Sequence, residues 1–210
     1  MMKLYGSNGS PFTRKVRVFI GEANLWDRVE YVLVPPNEFR TVMPKHSPLG
    51  KVPVLELDDG SKMIDSPAIC EYLDSLNTER KLFPDNPDER WAALRYLALG
   101  DGICEAVIAA FRELYRPKDR QNAAVVDRES KRAANCADLL EREIIELAAG
   151  PVTIGQIGAA VGVGHIVFRK LTGELPDHPA LDLASRTPRL LAWYETFFQR
   201  PSMQNAKPEK

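Results

Sequence analysis

The stretch Pro48–Leu76 reads PLGKVPVLELDDGSKMIDSPAICEYLDSL, and it holds, in order, a proline-opened apolar run, a turn, a second short run and a helix start. The run Val52-Pro53-Val54-Leu55-Glu56-Leu57 has strand character, and proline is tolerated at the first residue of a strand. Asp58-Asp59-Gly60-Ser61 is a turn sequence, and Lys62-Met63-Ile64 then returns antiparallel, which makes a hairpin. Asp65-Ser66-Pro67 opens a helix that carries Ile69, Tyr72, Leu73 and Leu76 inward. The unit is ββα.

Upstream, Lys3–Gly6 is a short strand candidate, and the stretch Ser10–Arg17, SPFTRKVR, begins a helical pattern with Phe12, Val16, Phe19, Ile20 and Ala23 on one face. Val29–Val34 is a second strand, so the chain begins βαβ, with an irregular, proline-punctuated segment from Pro35 to Gly50. From Asn77 to Asp88 charge, Asn and Pro dominate, and residues 81–88 are read as a linker. Beyond it every pattern is helical. Glu89–Tyr115 repeats Trp91, Leu94, Leu97, Ile103, Val107, Phe111 and Leu114, while Arg120–Ala149 repeats Val125, Cys136, Leu139, Leu140, Ile144 and Leu147. Thr153–Leu171 and Pro188–Gln199 complete the set. The predicted organisation is an α/β domain over 1–80 and an all-α domain over 89–210.

Composition narrows the function. Lys+Arg at 28 against Asp+Glu at 29 leaves a net charge of -1, so there is no basic excess for a nucleic-acid backbone or an anionic membrane. No run approaches the roughly 20 apolar residues of a bilayer span, and no leader-like segment opens the chain; a cytoplasmic location is expected. Cys70, Cys104 and Cys136 are far apart in helical patterns, which suits buried thiols in a reducing compartment. His46, His165 and His178 share no metal-ligand spacing, and no metal is expected.

Two Ser-Pro pairs, Ser10-Pro11 and Ser66-Pro67, each follow a strand candidate and open a helix. A serine N-cap followed by proline is ordinary helix punctuation. Helix N-termini also attract anions, through free N–H groups and the positive end of the dipole, so two of them on one small sheet can hold both ends of an anionic peptide. Between them lies Gly50-Lys51-Val52-Pro53-Val54-Leu55, where a cis Val52–Pro53 bond would turn the Val52 backbone toward an extended ligand, although trans is the default from sequence.

These segments resemble the soluble, cytosolic-type glutathione S-transferase family, in particular its serine-type, bacterial-like members: SPFTRKVR, PLGKVPVLELDDG and DSPAICEYLDSL match the glutathione-binding half in order and at similar spacing. Val152–Ala160 is similar to the family's buried helix, with Thr153 and Gln156 where the family has a Ser/Thr-x-x-Asp box. The resemblance implies a thioredoxin-like N-terminal domain (βαβ-ββα), an all-α C-terminal domain, a homodimer, and conjugation of glutathione to a small hydrophobic electrophile in detoxification. Glutathione is then a co-substrate.

Residue by residue, the resemblance gives Asp65 and Ser66 to the γ-glutamyl end, the Val52 main chain beside Pro53 to the cysteinyl part, and Lys51 or His46 to the glycyl carboxylate. Ser10 matches the serine that points at the sulfur; Phe12 joins the contact set or the acceptor pocket, and Asp101 would meet the glutathione amine across a dimer. Lowering a thiol pKa from about 8.5 by about 2 units needs roughly 2.7 kcal/mol in favour of the anion. A hydroxyl donor of about 1.5–3 kcal/mol and a helix N-terminus of about 0.3–1 suffice, without a general base. Ser10 as a cap alone is the competing reading, with Tyr5, Ser7 or Asn8 then supplying the donor. The rival functions are peroxide reduction, dehalogenation or isomerisation on the same site, and a non-catalytic scaffold. A cysteine-type thiol oxidoreductase is disfavoured, because residues 7–13 contain no cysteine.

Overall fold

The computed structural model describes all residues except 36, 78–80, 176 and 210. The chain divides into two compact units, Met1–Asp85 with Arg200–Lys210, and Asn86–Gln199.

The first unit contains β1 (Met2–Gly6), α1 (Pro11–Glu22), β2 (Val29–Leu33), α2 (Phe39–His46), β3 (Val54–Glu56), β4 (Lys62–Met63) and α3 (Ser66–Ser75). Its sheet runs in the order β2-β1-β3-β4, with β1 parallel to β2 and the other pairs antiparallel. This is the thioredoxin-like βαβ-ββα arrangement read from the sequence. Side chains alternate across a strand. Met2 and Leu4 of β1 and Leu55 of β3 are buried in the layer to which α1 contributes Val16, Phe19 and Ile20 and α3 contributes Ile69 and Leu73. On the other face Tyr5, Val54, Val34 and Val52 pack with Met43, Phe39 and Val42 of α2.

Helix α2 lies in the segment expected to be irregular. It forms with Pro44 inside its last turns and no side-chain cap, so Met43 packing on the sheet stabilises it rather than local propensity. The reading of residues 81–88 as a linker also meets packed side chains. Leu82 and Phe83 are buried, Leu82 N–H donates to Asp74 Oδ1 at 2.7 Å, and the Phe83 ring sits 6.1 Å from that of Phe19. The boundary expected at residue 80 falls outside the described residues.

The second unit contains α4 (Pro87–Leu114), α5 (Ala123–Arg142), α6 (Ile144–Ala148), α7 (Ile154–Leu171), α8 (Leu183–Arg186) and α9 (Pro188–Phe198). The single pattern expected over Arg120–Ala149 is divided between α5 and α6 at Glu143. Trp91, expected inward, is 65% exposed, and the buried stripe of α4 is instead Ala93, Tyr96, Leu97, Gly100, Ile103, Cys104 and Val107. Small residues stand in this stripe where α7 approaches closely, at Ala93 and Gly100. A Cβ on Gly162 would lie 2.7 Å from the Gly100 carbonyl oxygen, and one on Gly155 would lie 2.6 Å from that of Ala93. Gly100-Asp101-Gly102 reads in sequence as a loosening of the helix, yet α4 runs through it unbroken.

Gln156, in the place where the family pattern has an acid, uses its amide in both directions. Its Oε1 accepts from Thr153 N–H at 2.9 Å, and its Nε2 donates to Leu147 O at 2.9 Å and Ala149 O at 3.2 Å. A carboxylate could not donate to those last carbonyls of α6. Gln156→Glu is therefore expected to cost about 2–4 kcal/mol at pH 7 in chemical denaturation. Part of the loss should return on acidification, because burial raises the carboxyl pKa in the folded state, which then binds its proton before the unfolded chain does.

The last helix, α10 (Pro201–Asn205), belongs to the first unit, whereas the sequence patterns place all of residues 89–210 in the helical domain. Polar contacts hold it there: Arg200 Nε and Nη2 donate to Glu22 at 2.7 and 2.8 Å, Ser202 Oγ donates to Glu22 Oε1 at 2.6 Å, and Arg14 Nε donates to Ala206 O at 3.0 Å. Among the described residues no helix is long and apolar enough to cross a membrane.

Candidate functional site

Strand register brings three chain segments to one end of the sheet. Tyr5 pairs with Val54, so the C-terminal end of β1 lies beside the start of β3; Leu55 pairs with Met63, so the end of β4 lies there too. The turn after β1 carries Ser10, the loop before β3 carries Val52 and Pro53, and the residues after β4 are Asp65 and Ser66. The N-termini of α1 and α3 therefore gather at the edge where the Val52 loop enters.

Ser10 is the N-cap of α1, and its Oγ accepts from Thr13 N–H at 3.3 Å. Capping uses an oxygen lone pair and leaves the hydroxyl proton to be donated elsewhere. The cap reading and the donor reading therefore coexist in one side chain. Two of the other candidate donors, Tyr5 and Asn8, are engaged elsewhere. Tyr5 packs on the α2 face with its ring 3.9 Å from the His46 ring and its hydroxyl 3.5 Å from Glu56 Oε2. Asn8 donates to Glu209 Oε2 at 2.6 Å, and Ser7 offers its carbonyl to Ser10 N–H at 3.2 Å.

The Val52–Pro53 peptide is cis, as is Ile64–Asp65. Val52 lies outside the strand ladder and is half-buried, whereas Lys51 is exposed. Asp65 caps α3, its Oδ1 accepting from Ser66 N–H at 2.5 Å. Ser66 is completely buried, and its Oγ has no hydrogen-bond partner among the described residues. An enclosed hydroxyl without a partner carries a desolvation penalty of about 1–3 kcal/mol, which a bound acceptor removes.

His46, expected near the glycyl end, terminates α2 with its Nδ1 3.8 Å from Glu56 Oε2. Burial, then the positive charge of Lys62, pushes its pKa below the ordinary imidazole value, only partly offset by Glu56. Lys62 also pairs with Glu56, so His46 shares that carboxylate with a lysine. Phe12 is half-buried near the start of α1, with Lys15 Nζ 5.6 Å from its ring centroid. Asp101 lies within α4 of the helical unit, so it is not among the groups that the sheet register gathers. Among the described residues no group of His, Cys, Asp and Glu is arranged to hold a metal ion, and Cys70, Cys104 and Cys136 form no disulfide. Burial raises the pKa of Cys136, which is half-buried rather than enclosed.

Sequence reasoning overlooked Arg17, which hydrogen-bonds Asn8 of the Ser10 turn. The available signal was a basic residue two turns beyond the cap on a helix otherwise patterned for burial.

A mixed sheet in the order β2-β1-β3-β4, built βαβ-ββα, and a following all-helical unit define a thioredoxin-like domain joined to an all-α one. The chain belongs to the glutathione S-transferase family. Residues 4–81 match the family model "Glutathione S-transferase, N-terminal domain". Over the full length of both chains it is 31% identical to the uncharacterized GST-like protein YibF of Escherichia coli K12. A glutathione transferase family member from Pseudomonas fluorescens Pf-5, solved with bound glutathione, superposes with a TM-score of 0.90 at 32% identity, and all of both chains is covered. A Methylobacillus flagellatus glutathione S-transferase, also with glutathione bound, gives 0.87 at 30% identity with the same coverage.

Proposed function

We propose that the protein is a glutathione transferase that joins the glutathione thiolate to a small hydrophobic electrophile. The observation that carries this is the Ser66 hydroxyl, wholly buried and unpartnered at the N-terminus of α3, on the sheet end shared by Ser10 and the Val52–Pro53 loop. The glutathione bound in the Pseudomonas relative supports the same reading.

In this mechanism the γ-glutamyl carboxylate accepts from Ser66 Oγ and lies at the positive end of α3. Asp65 attracts the γ-glutamyl ammonium while capping the helix. The Val52 peptide group pairs with the cysteinyl segment, and Lys51 attracts the glycyl carboxylate. The sulfur then sits at the N-terminus of α1, where the Ser10 hydroxyl donates to it. The thiol proton leaves to water, and the thiolate attacks the electrophile, forming the new carbon–sulfur bond as the leaving group departs. We place the reaction in the cytoplasm and the chain in a homodimer, as the family resemblance implies.

Ser66→Ala separates ligand binding from folding. Losing a hydroxyl donor to a charged acceptor is expected to weaken glutathione binding about 10- to 100-fold by calorimetry. The ligand-free variant should melt at or above the parent temperature, because a buried unpartnered hydroxyl has been removed. A parent protein that neither binds glutathione nor turns over an activated chloroarene would defeat the proposal.

A further inference from the structure

Asn8 fastens the turn that carries Ser10. Its Oδ1 accepts from Arg17 Nη1 at 3.1 Å and from Tyr31 Oη at 2.9 Å, and its Nδ2 donates to Glu209 Oε2 at 2.6 Å. Arg17 also reaches the C-terminal segment, donating from Nη2 to Asn205 O at 2.7 Å, with its guanidinium 4.6 Å from the Tyr31 ring centroid. One turn earlier on α1, Arg14 holds Ala206 O, and at the far end of the helix Arg200 and Ser202 hold Glu22. The segment from Arg200 to Glu209 thus lies along α1 and ends at the Ser10 turn.

Inside the turn the restraints are long. Ser10 N–H reaches Ser7 O at 3.2 Å, and Thr13 N–H reaches Ser10 Oγ at 3.3 Å, both beyond the usual 2.9–3.0 Å. A hydroxyl that must meet a thiolate needs tighter control, because hydrogen bonds weaken steeply with misalignment. The Asn8 anchor supplies it from outside the turn, and a planar guanidinium suits the task because its fork bridges two acceptors at fixed separation.

We infer that the C-terminal segment is part of the thiol-activating site, with Arg17 and Asn8 as positioning residues that hold the Ser7–Ser10 turn so that the Ser10 hydroxyl faces the sulfur. The inference rests on the donor role proposed for Ser10.

The test uses the full chain and three variants, Asn8→Ala, Arg17→Lys and Glu209→Gln. For each, the pKa of bound glutathione is read from ultraviolet thiolate absorbance, affinity from calorimetry, and amide exchange over residues 7–13 from mass spectrometry. Arg17→Lys keeps the positive charge but cannot bridge both acceptors. It and Asn8→Ala should raise the apparent thiol pKa by about half a unit to one unit, a roughly three- to tenfold loss of thiolate at fixed pH. Glutathione affinity should stay within about twofold, and exchange over 7–13 should quicken. Glu209→Gln keeps an acceptor for Asn8 but loses the charge of Glu209, so it should raise the thiol pKa by less than either of the other two variants. A lowered melting temperature with an unchanged pKa would reduce these contacts to scaffolding and overturn the inference. If the parent itself shows no depressed pKa, the Ser10 role fails first. Exchange then decides: unchanged rates in Asn8→Ala overturn the anchor, and quickened rates uphold it.

Discussion

Gly100→Ala is expected to destabilise the helical unit by about 3 kcal/mol or more, while Gly102→Ala, two residues along the same helix, is expected to stabilise it. Intrinsic helix propensity predicts the same sign for both, since alanine is favoured over an interior glycine by about 1 kcal/mol. Their surroundings separate them. A Cβ built on Gly100 would sit 2.1 Å from the Gly158 carbonyl oxygen, 2.3 Å from its carbonyl carbon and 2.7 Å from Ala159 N. These are backbone atoms of α7, so no rotamer change relieves the overlap and the two helices must separate along their shared stripe. On Gly102 the nearest foreign atom would be Cys136 Sγ at 3.6 Å, an ordinary contact. Urea denaturation of the two single variants measures both. Equal shifts of the same sign would mean that α4 and α7 do not meet through Gly100.

Ser10→Ala should raise the pKa of bound glutathione by about 1–2 units and slow conjugation at pH 6.5 about 10- to 100-fold, with little change in glutathione affinity. The same change removes a helix cap, which costs about 1 kcal/mol of stability, so a second variant is needed to separate chemistry from folding. Ser10→Gly also lacks the hydroxyl but costs the helix only a few tenths of a kcal/mol. If the hydroxyl donates to sulfur, the two variants should share the raised pKa and differ in melting temperature. A pKa that tracks the melting temperature would point to a cap alone, and one unmoved in both would transfer the donor to another group. The pH profile carries its own sign: the rate deficit should shrink as pH rises through the variant's thiol pKa, where thiolate forms without help.

Much of the first unit was legible because its signals are local. The turn Asp58–Ser61 closes the hairpin where expected, with Gly60 at a φ of 83°, and both Ser-Pro pairs open helices. Features that depend on distant partners were not legible. Pro44 concealed α2, which needs Met43 against the sheet. Leu82 and Phe83 are two apolar residues in a charged, proline-containing stretch, and their burial depends on Asp74 and Phe19. Gly100 looked like a flexible point because glycine has the same letter whether it loosens a helix or admits a neighbour. The return of α10 to the first unit has no periodic signature, since Glu22, Arg14 and Arg17 hold it through charge and backbone carbonyls.

That return makes the helical unit, in the topological sense, an insertion between Asp85 and Arg200. During synthesis the strands and helices that precede residue 86 leave the ribosome long before Ala206 does, so for that interval Arg14 has no Ala206 carbonyl to hold. While the intervening residues are unstructured, closing that span costs conformational entropy that grows as about (3/2)RT ln n; once they have folded, their ends are already fixed and the cost falls. Docking of α10 is therefore favoured once the helical unit has folded, and the Ser10 turn can gain its Arg17 bridge to Asn205 only after residues 86–199 have been made.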